Sequence, residues 1–267
     1  MKKLLFVVAT SISLLVASFF QKEEPRLIWS DEFDGYSLDP SKWKAIIGNG
    51  CPNLCGFGNN EAQYYTDSEG NLDVEDGVLT ISATTDQVGK NEYSSAKLVT
   101  KGLAHWKYGR FEVKAKLPAG KGIWPAIWML PAKNNYGGWP KSGEIDIMEH
   151  VGYNPDMIYG TVHTQSFNHM KGTQKGDSLK IKNVYDDFHV FAVEWRKDKI
   201  DFFIDNEKYH TFENTGNQNS DEWPFDQPFY MVLNVAVGGS WGGKFGIAND
   251  IFPNRMEIDY VRIYALD

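Results

Sequence analysis

Alternation with a period of two dominates this chain. Arg110-Phe111-Glu112-Val113-Lys114-Ala115-Lys116-Leu117 alternates polar and apolar residues, the pattern of a strand with one wet face. Phe188 to Trp195 and Ile200 to Ile204, separated by Arg196-Lys197-Asp198, read as a hairpin, and Asp205-Asn206 turns the chain again into Lys208 to Phe212. Pro228 to Val237 and Met256 to Tyr264 are further runs of β-branched and aromatic residues. No stretch of about a dozen residues carries the helical period. Many short strands with turn signals between them predict an all-β domain, a two-sheet antiparallel β-sandwich of the jelly-roll type. No repeat and no low-complexity linker interrupts the pattern, so residues 22–267 read as one domain.

Residues 1–21 stand apart. Lys2 and Lys3 precede an apolar run from Leu4 to Val16, broken by Thr10, Ser11 and Ser13 and followed by the small Ala17 and Ser18. Two positive charges, a short greasy core and small residues form a secretory signal peptide, which predicts a secreted or periplasmic protein. The alternative is an uncleaved anchor, but the run is short against the ~20 residues of a spanning helix. After cleavage no long apolar run remains, so no stable membrane association is expected. Lys plus Arg number 27 against 35 Asp plus Glu. That acidity argues against nucleic acid, whose phosphates are bound by clustered cations. The sequence is silent on oligomeric state. Cys51 and Cys55 sit in Gly-Cys-Pro-Asn-Leu-Cys-Gly, where an oxidising compartment favours a local disulfide closing a tight loop. Two free thiols are the alternative; a zinc site would need ligands that no nearby His or Cys supplies.

The segment richest in chemistry is Gly143-Glu144-Ile145-Asp146-Ile147-Met148-Glu149-His150-Val151. Glu144 and Asp146 alternate with Ile145 and Ile147, which gives one anionic and one inward face. Plain alternation would bury Glu149. One extra residue in a β-bulge, most simply Met148, returns Glu149 to the face of Glu144 and Asp146. Three carboxylates in a row repel one another, and that coupling is expected to hold one of them protonated. Glycoside hydrolysis needs such a set: one carboxylate attacks or activates water and another, protonated, donates to the leaving oxygen. Retention requires the pair ~5–5.5 Å apart, so the strand must curve and the side chains lean together. A solvated acidic edge or a cation site is the alternative reading.

Aromatic residues make up 14% of the chain, with 9 Trp, 13 Tyr and 16 Phe, more than a core of this size calls for. Gly122-Ile123-Trp124-Pro125-Ala126-Ile127-Trp128-Met129 places Trp124, Ala126 and Trp128 on one face just before the acidic strand. Sugar rings stack on flat indoles, which favours a cleft over a core position for both tryptophans.

Taken together, Glu-Ile-Asp-Ile-Met-Glu at 144–149 and Gly-Ile-Trp-Pro-Ala-Ile-Trp-Met at 122–129 resemble the signature of family 16 glycoside hydrolases in its bulged form. The match extends through Trp29-Ser30-Asp31-Glu32-Phe33-Asp34-Gly35, Gly58-Asn59-Asn60-Glu61-Ala62-Gln63-Tyr64-Tyr65 and Tyr108-Gly109-Arg110-Phe111. It continues through Gly160-Thr161-Val162-His163-Thr164, Leu233-Asn234-Val235-Ala236-Val237-Gly238-Gly239 and Ile258-Asp259-Tyr260-Val261-Arg262. Within the family it looks most like the laminarinase-type bacterial endo-β-1,3-glucanases. The resemblance implies a curved jelly roll with a substrate cleft across its concave sheet, and a retaining double displacement on β-1,3-glucan, with mixed-linkage β-1,3-1,4-glucan as a further substrate. It makes Glu144 the nucleophile, Asp146 the residue that tunes its neighbours, and Glu149 the acid and then the base. Trp124 and Trp128 would flank the scissile sugar. His163 and Asn234 would hydrogen-bond substrate or carboxylates, with a structural role the alternative for His163, and Asn59 and Trp241 would lie on rim loops.

The chemistry itself needs no cofactor. The family also commonly holds one structural calcium on the convex side, and the matching positions are the carbonyls of Glu32 and Gly77 and the side chain of Asp259. Asp259 in an ordinary cap or salt bridge is the alternative. One departure is Lys97, where Arg is more usual: an ammonium replaces a flat bidentate fork. Gly238-Gly239-Ser240-Trp241-Gly242-Gly243-Lys244-Phe245 mimics the start of a phosphate-binding loop, but Phe245 stands where Ser or Thr should hold magnesium, so it reads as a cleft loop presenting Trp241. Two competing functions stay open: an agarase or other galactan hydrolase on the same scaffold, and a non-catalytic glycan-binding jelly roll.

Overall fold

A computed structural model describes residues 25–216 and 219–266; residues 1–21, expected from the sequence to be an export signal, lie outside the described residues. Along the chain the strands are β1 Leu27–Asp31, β2 Lys44–Ala45, β3 Gln63–Tyr65, β4 Leu72–Glu75, β5 Val78–Ala83, β6 Tyr93–Ser95, β7 Lys97–Val99, β8 Gly109–Lys116 and β9 Ile123–Pro131. They continue as β10 Glu144–Glu149, β11 Met157–His163, β12 Lys175–Lys180, β13 His189–Trp195, β14 Lys199–Ile204, β15 Glu207–Glu213, β16 Phe229–Val237 and β17 Asn254–Tyr264. Among the described residues the helical elements are short 3-10 turns only, as the absence of a helical period predicts.

Two antiparallel sheets face each other. The convex one runs β15-β14-β13-β8-β17-β5-β4, with β1 added to β17, and the concave one runs β12-β11-β10-β9-β16-β7-β2. Their inner faces interdigitate in one core. Phe111, Val113, Phe191, Val193 and Trp195 from the convex sheet meet Ile127, Met129, Ile145, Leu233 and Val235 from the concave one, all fully buried. Alternate residues of β8, β13 and β9 supply these contacts, so the period-two pattern read from the sequence is the pattern of burial. Turn chemistry fixes register locally. Asp205 and Asn206, at φ of 49° and 68°, make the two-residue turn that pairs Ile204 with Glu207.

Strand β16 is buried along its whole length because both its faces are covered. Its odd-numbered residues enter the core. On the other face Tyr230 and Val232 join Val99, Trp128, Leu130 and Ile46 in a second, smaller apolar cluster on the cleft side. The cleft floor is therefore partly greasy beside the acidic strand.

Candidate active site

Strand β10 lies at the heart of the concave sheet, between β9 and β11. Register with β9 runs Ile145↔Met129 and Asp146↔Trp128, then jumps to Met148↔Ile127 and Glu149↔Ala126. The bulge is present: against β9 Met148 keeps a partner and Ile147 has none, and against β11 neither of the two is paired. Both Ile147 and Met148 drop into the core. Two successive inward side chains restore the outward phase, so Glu149 returns to the cleft face with Glu144 and Asp146. Pairing on both flanks (Glu144↔His163 and Glu149↔Tyr159 on β11) holds the row rigid.

Each outer glutamate is met by an indole. Trp124 Nε1–H donates to Glu149 Oε1 at 3.1 Å, and Trp139 Nε1–H donates to Glu144 Oε2 at 3.0 Å. His163 stands between the nearer pair, its Nε2 3.3 Å from Asp146 Oδ2 and 3.9 Å from Glu144 Oε1. Burial is the first cause that pushes all three carboxyls up: Glu144 well above its usual range, and Asp146 and Glu149 to about 8. Charge repulsion from Asp146 adds to the rise at Glu144 and at Glu149, while His163 and the two indoles pull the other way. Desolvation therefore outranks the repulsion expected from the sequence, and it acts on the whole row.

This arrangement costs stability, with a sign that can be checked. Asp146 binds its proton up to about pH 8 when folded, against ~3.9 in an open chain. The folded state thus loses stability as pH rises through that window, by up to about 1.4 kcal/mol per unit. Asp146→Asn, which cannot ionise, is expected to melt above the wild type at pH 8, with the gap closing towards pH 5; thermal melts across that range check it.

Trp124 and Trp128 both face the cleft, not the core. Trp124 is seated by the glycine loop: a Cβ on Gly242 would lie 2.7 Å from Trp124 Cβ, and one on Gly239 (φ +78°) would lie 3.1 Å from the ring. No helix follows this loop, and its glycines let Trp241 fold edge-on against Trp124, with centroids 5.5 Å apart. The neighbouring rim loop is tied to it through Ser240 N–H donating to the Asn59 carbonyl. Asn59 itself turns inward, donating to Glu61 at 3.3 Å.

Asn234 ties two elements of the cleft together. Its Oδ1 accepts from Trp128 Nε1 at 2.7 Å and its Nδ2 donates to the Tyr65 hydroxyl at 3.1 Å, so both ends of the amide are engaged by protein. Tyr65 in turn donates to Glu61 Oε2. The relay Trp128–Asn234–Tyr65–Glu61 fixes the angle of the Trp128 indole. Lys97 lies against this relay, its ammonium 4.7 Å from the ring centres of both Trp128 and Phe57. An aromatic cage replaces the planar stacking that Arg would offer.

Reasoning from sequence missed Trp139 and its ring neighbour His169. The available signal was a tryptophan in a Gly-Gly-Trp-Pro turn, where a core role is improbable, five residues before Glu144. Cys51 and Cys55 are disulfide-bonded and close the 51–55 loop beside Phe57, away from the carboxylates. On the convex sheet, β5 pairs with β17 as far as Ile258 and β1 takes over from Val261. Glu32, Gly77 and Asp259 therefore flank the break where one strand hands over to the other. The hollow beside Gly77 is lined by Asp34, Asp73, Glu75 and Asp76, an acidic setting suited to a hard dication, whereas the Asp259 carboxylate is paired with Lys114 at 2.5 Å.

A sequence model of the glycosyl hydrolases family 16 matches residues 59–262. A beta-glucanase from Rhodothermus marinus is 49% identical over 246 residues, covering 89% of this chain and 84% of that one. A glucan endo-1,3-beta-glucosidase from Cryptopygus antarcticus is 39% identical, covering 88% and 90% respectively. Among solved structures, the laminarinase from Rhodothermus marinus superposes with a TM-score of 0.86 at 48% identity, over 90% of this chain and 97% of that one.

Proposed function

The chain belongs to glycosyl hydrolase family 16, and from that premise we propose the division of labour by which it works. It is an endo-acting, retaining β-glucanase that hydrolyses β-1,3-glucan. The observation that carries the assignment of roles is the bulged strand, with three carboxylates on one cleft face and an indole donor on each outer one.

Glu144 attacks the anomeric carbon as its carboxylate, the form that His163 and the Trp139 indole favour against the effect of burial. Trp139 holds its Oε2, which leaves Oε1 beside His163 as the attacking oxygen. Glu149, kept protonated at neutral pH by burial, passes its proton to the glycosidic oxygen as the C–O bond breaks, giving a glycosyl ester on Glu144 and a free reducing end. Glu149, now ionised, takes a proton from water, whose oxygen attacks the same carbon and returns Glu144 as a carboxylate. Asp146, on the same face, raises the carboxyls on either side of it by charge repulsion. Trp124 and Trp128 stack the sugars on either side of this line.

The test is a glycan panel. Laminarin is expected to yield short oligosaccharides whose new reducing ends appear first in the β form by proton NMR. Breakdown of agarose without laminarin would favour the galactan alternative, and binding of laminarin without cleavage would favour the lectin-like one.

We also propose a convex-side calcium, held by the Glu32 and Gly77 carbonyls and the Asp259 carboxylate, with residues 1–21 as the export signal. Asp259 would exchange Lys114 for the ion. The ion would clamp the start of β5 and the end of β1 onto β17, so millimolar Ca2+ is expected to raise the Tm of the wild type and to leave that of Asp259→Ala unmoved.

A further inference from the structure

The Glu144 end of the row has a donor set that sugar hydrolysis does not require. One ligand atom each from Glu144, Asp146 and His163 lies within 4.8 Å of the other two. Ligand atoms held tetrahedrally at ~2.0–2.1 Å from an ion sit roughly 3.3 Å apart. Asp146 Oδ2 and His163 Nε2 already have that spacing, at 3.3 Å, and Glu144 Oε1 is at 3.9 Å from the same nitrogen. Glu144 is the most accessible of the three, and its Oε1 is the oxygen not held by Trp139.

A second observation is independent of that clustering. Asp146 is only 3% exposed, yet its Oδ2, the oxygen that faces His163, has no hydrogen-bond donor. A buried carboxyl oxygen without a hydrogen-bond partner is costly, and a cation that took the place of the proton would remove the cost. Two carboxylates and an imidazole form the donor set of a borderline ion such as Zn2+. Calcium takes six to eight oxygens and finds too few here.

We infer that Glu144, Asp146 and His163 together bind one divalent transition-metal ion of the zinc type, and that this binding excludes catalysis. The inhibitory half rests on the reading of Glu144 as the nucleophile, since an ion on its carboxylate withdraws the lone pair that attacks the sugar; the binding half does not. His163 Nδ1 is buried without a partner, so the imidazole lacks the acceptor that normally orients a metal ligand. Such partners are typically worth 10–100-fold in affinity, so the ion is held reversibly and yields to a chelator.

The experiment is calorimetric titration of Zn2+ into the chelator-stripped chain, in excess Ca2+ so that oxygen-only sites are filled. One equivalent is expected to bind, and Co2+ in its place is expected to develop visible d–d bands. His163→Gln and Asp146→Asn should each weaken Zn2+ binding by about ten-fold or more, while Glu149→Gln, outside the triad, should bind as the wild type does. Inhibition of laminarin hydrolysis should follow the calorimetric Kd and be reversed by EDTA. Equal binding by wild type and a folded His163→Gln chain, or no binding at millimolar Zn2+, would overturn the inference. A fully active Glu144→Gln chain would instead overturn the nucleophile assignment and leave the calorimetry standing.

Discussion

Glu144→Gln is expected to lower kcat on laminarin by on the order of 10⁴-fold or more, the scale on which removal of a covalent nucleophile acts. Gln keeps the volume and still accepts the Trp139 indole N–H, so near-ultraviolet circular dichroism should match the wild type. The amide cannot form the glycosyl ester, and no neighbour replaces it. Asp146 is on the same face but sits deeper. Loss of turnover with an unchanged spectrum is the outcome that supports the role; near-full activity would remove Glu144 from the mechanism.

Glu149→Ala should behave differently, and the difference separates the two glutamates. Loss of general-acid assistance costs about 10²–10⁴-fold when the leaving group is a sugar. With an aryl leaving group that departs without a proton, the first step should proceed near the wild-type rate and the ester on Glu144 should accumulate. Azide, which needs no general base, should then speed turnover and yield a glycosyl azide of retained configuration. The pH profile offers an independent check. Glu149 holds its proton up to about pH 8, so the wild type should lose kcat/KM above that value as the acid ionises. In Glu149→Ala, assayed with the aryl substrate, the alkaline limb should disappear.

Within residues 109–117 and 188–212 the sequence pattern places four strands and two turns to within a residue or two of where they lie. Such segments are legible because alternation and turn chemistry are local: each side chain's face follows from its neighbours and from the pleat. The acidic strand was legible for the same reason, including the need for an extra residue. Which residue slips was not, because Ile147 and Met148 are both apolar and both can enter the core; pairing with Ile127 chooses between them. Asn234 shows the limit in another way. Its position on the cleft face followed from parity, but its partners Trp128 and Tyr65 come from strands 106 and 169 residues away. Trp139 escaped because a loop residue has no face until the loop is folded.

The sequence alone therefore determined the all-β class, the cleft face of β10 and the three carboxylates that occupy it, since these depend on spacing along one chain segment. The tertiary structure decided which indole meets which glutamate, how burial loads the whole row with protons, and where Asp146 is left without a donor. Those properties arise from register between strands and from the low dielectric of a packed cleft, and neither exists until distant segments are brought together.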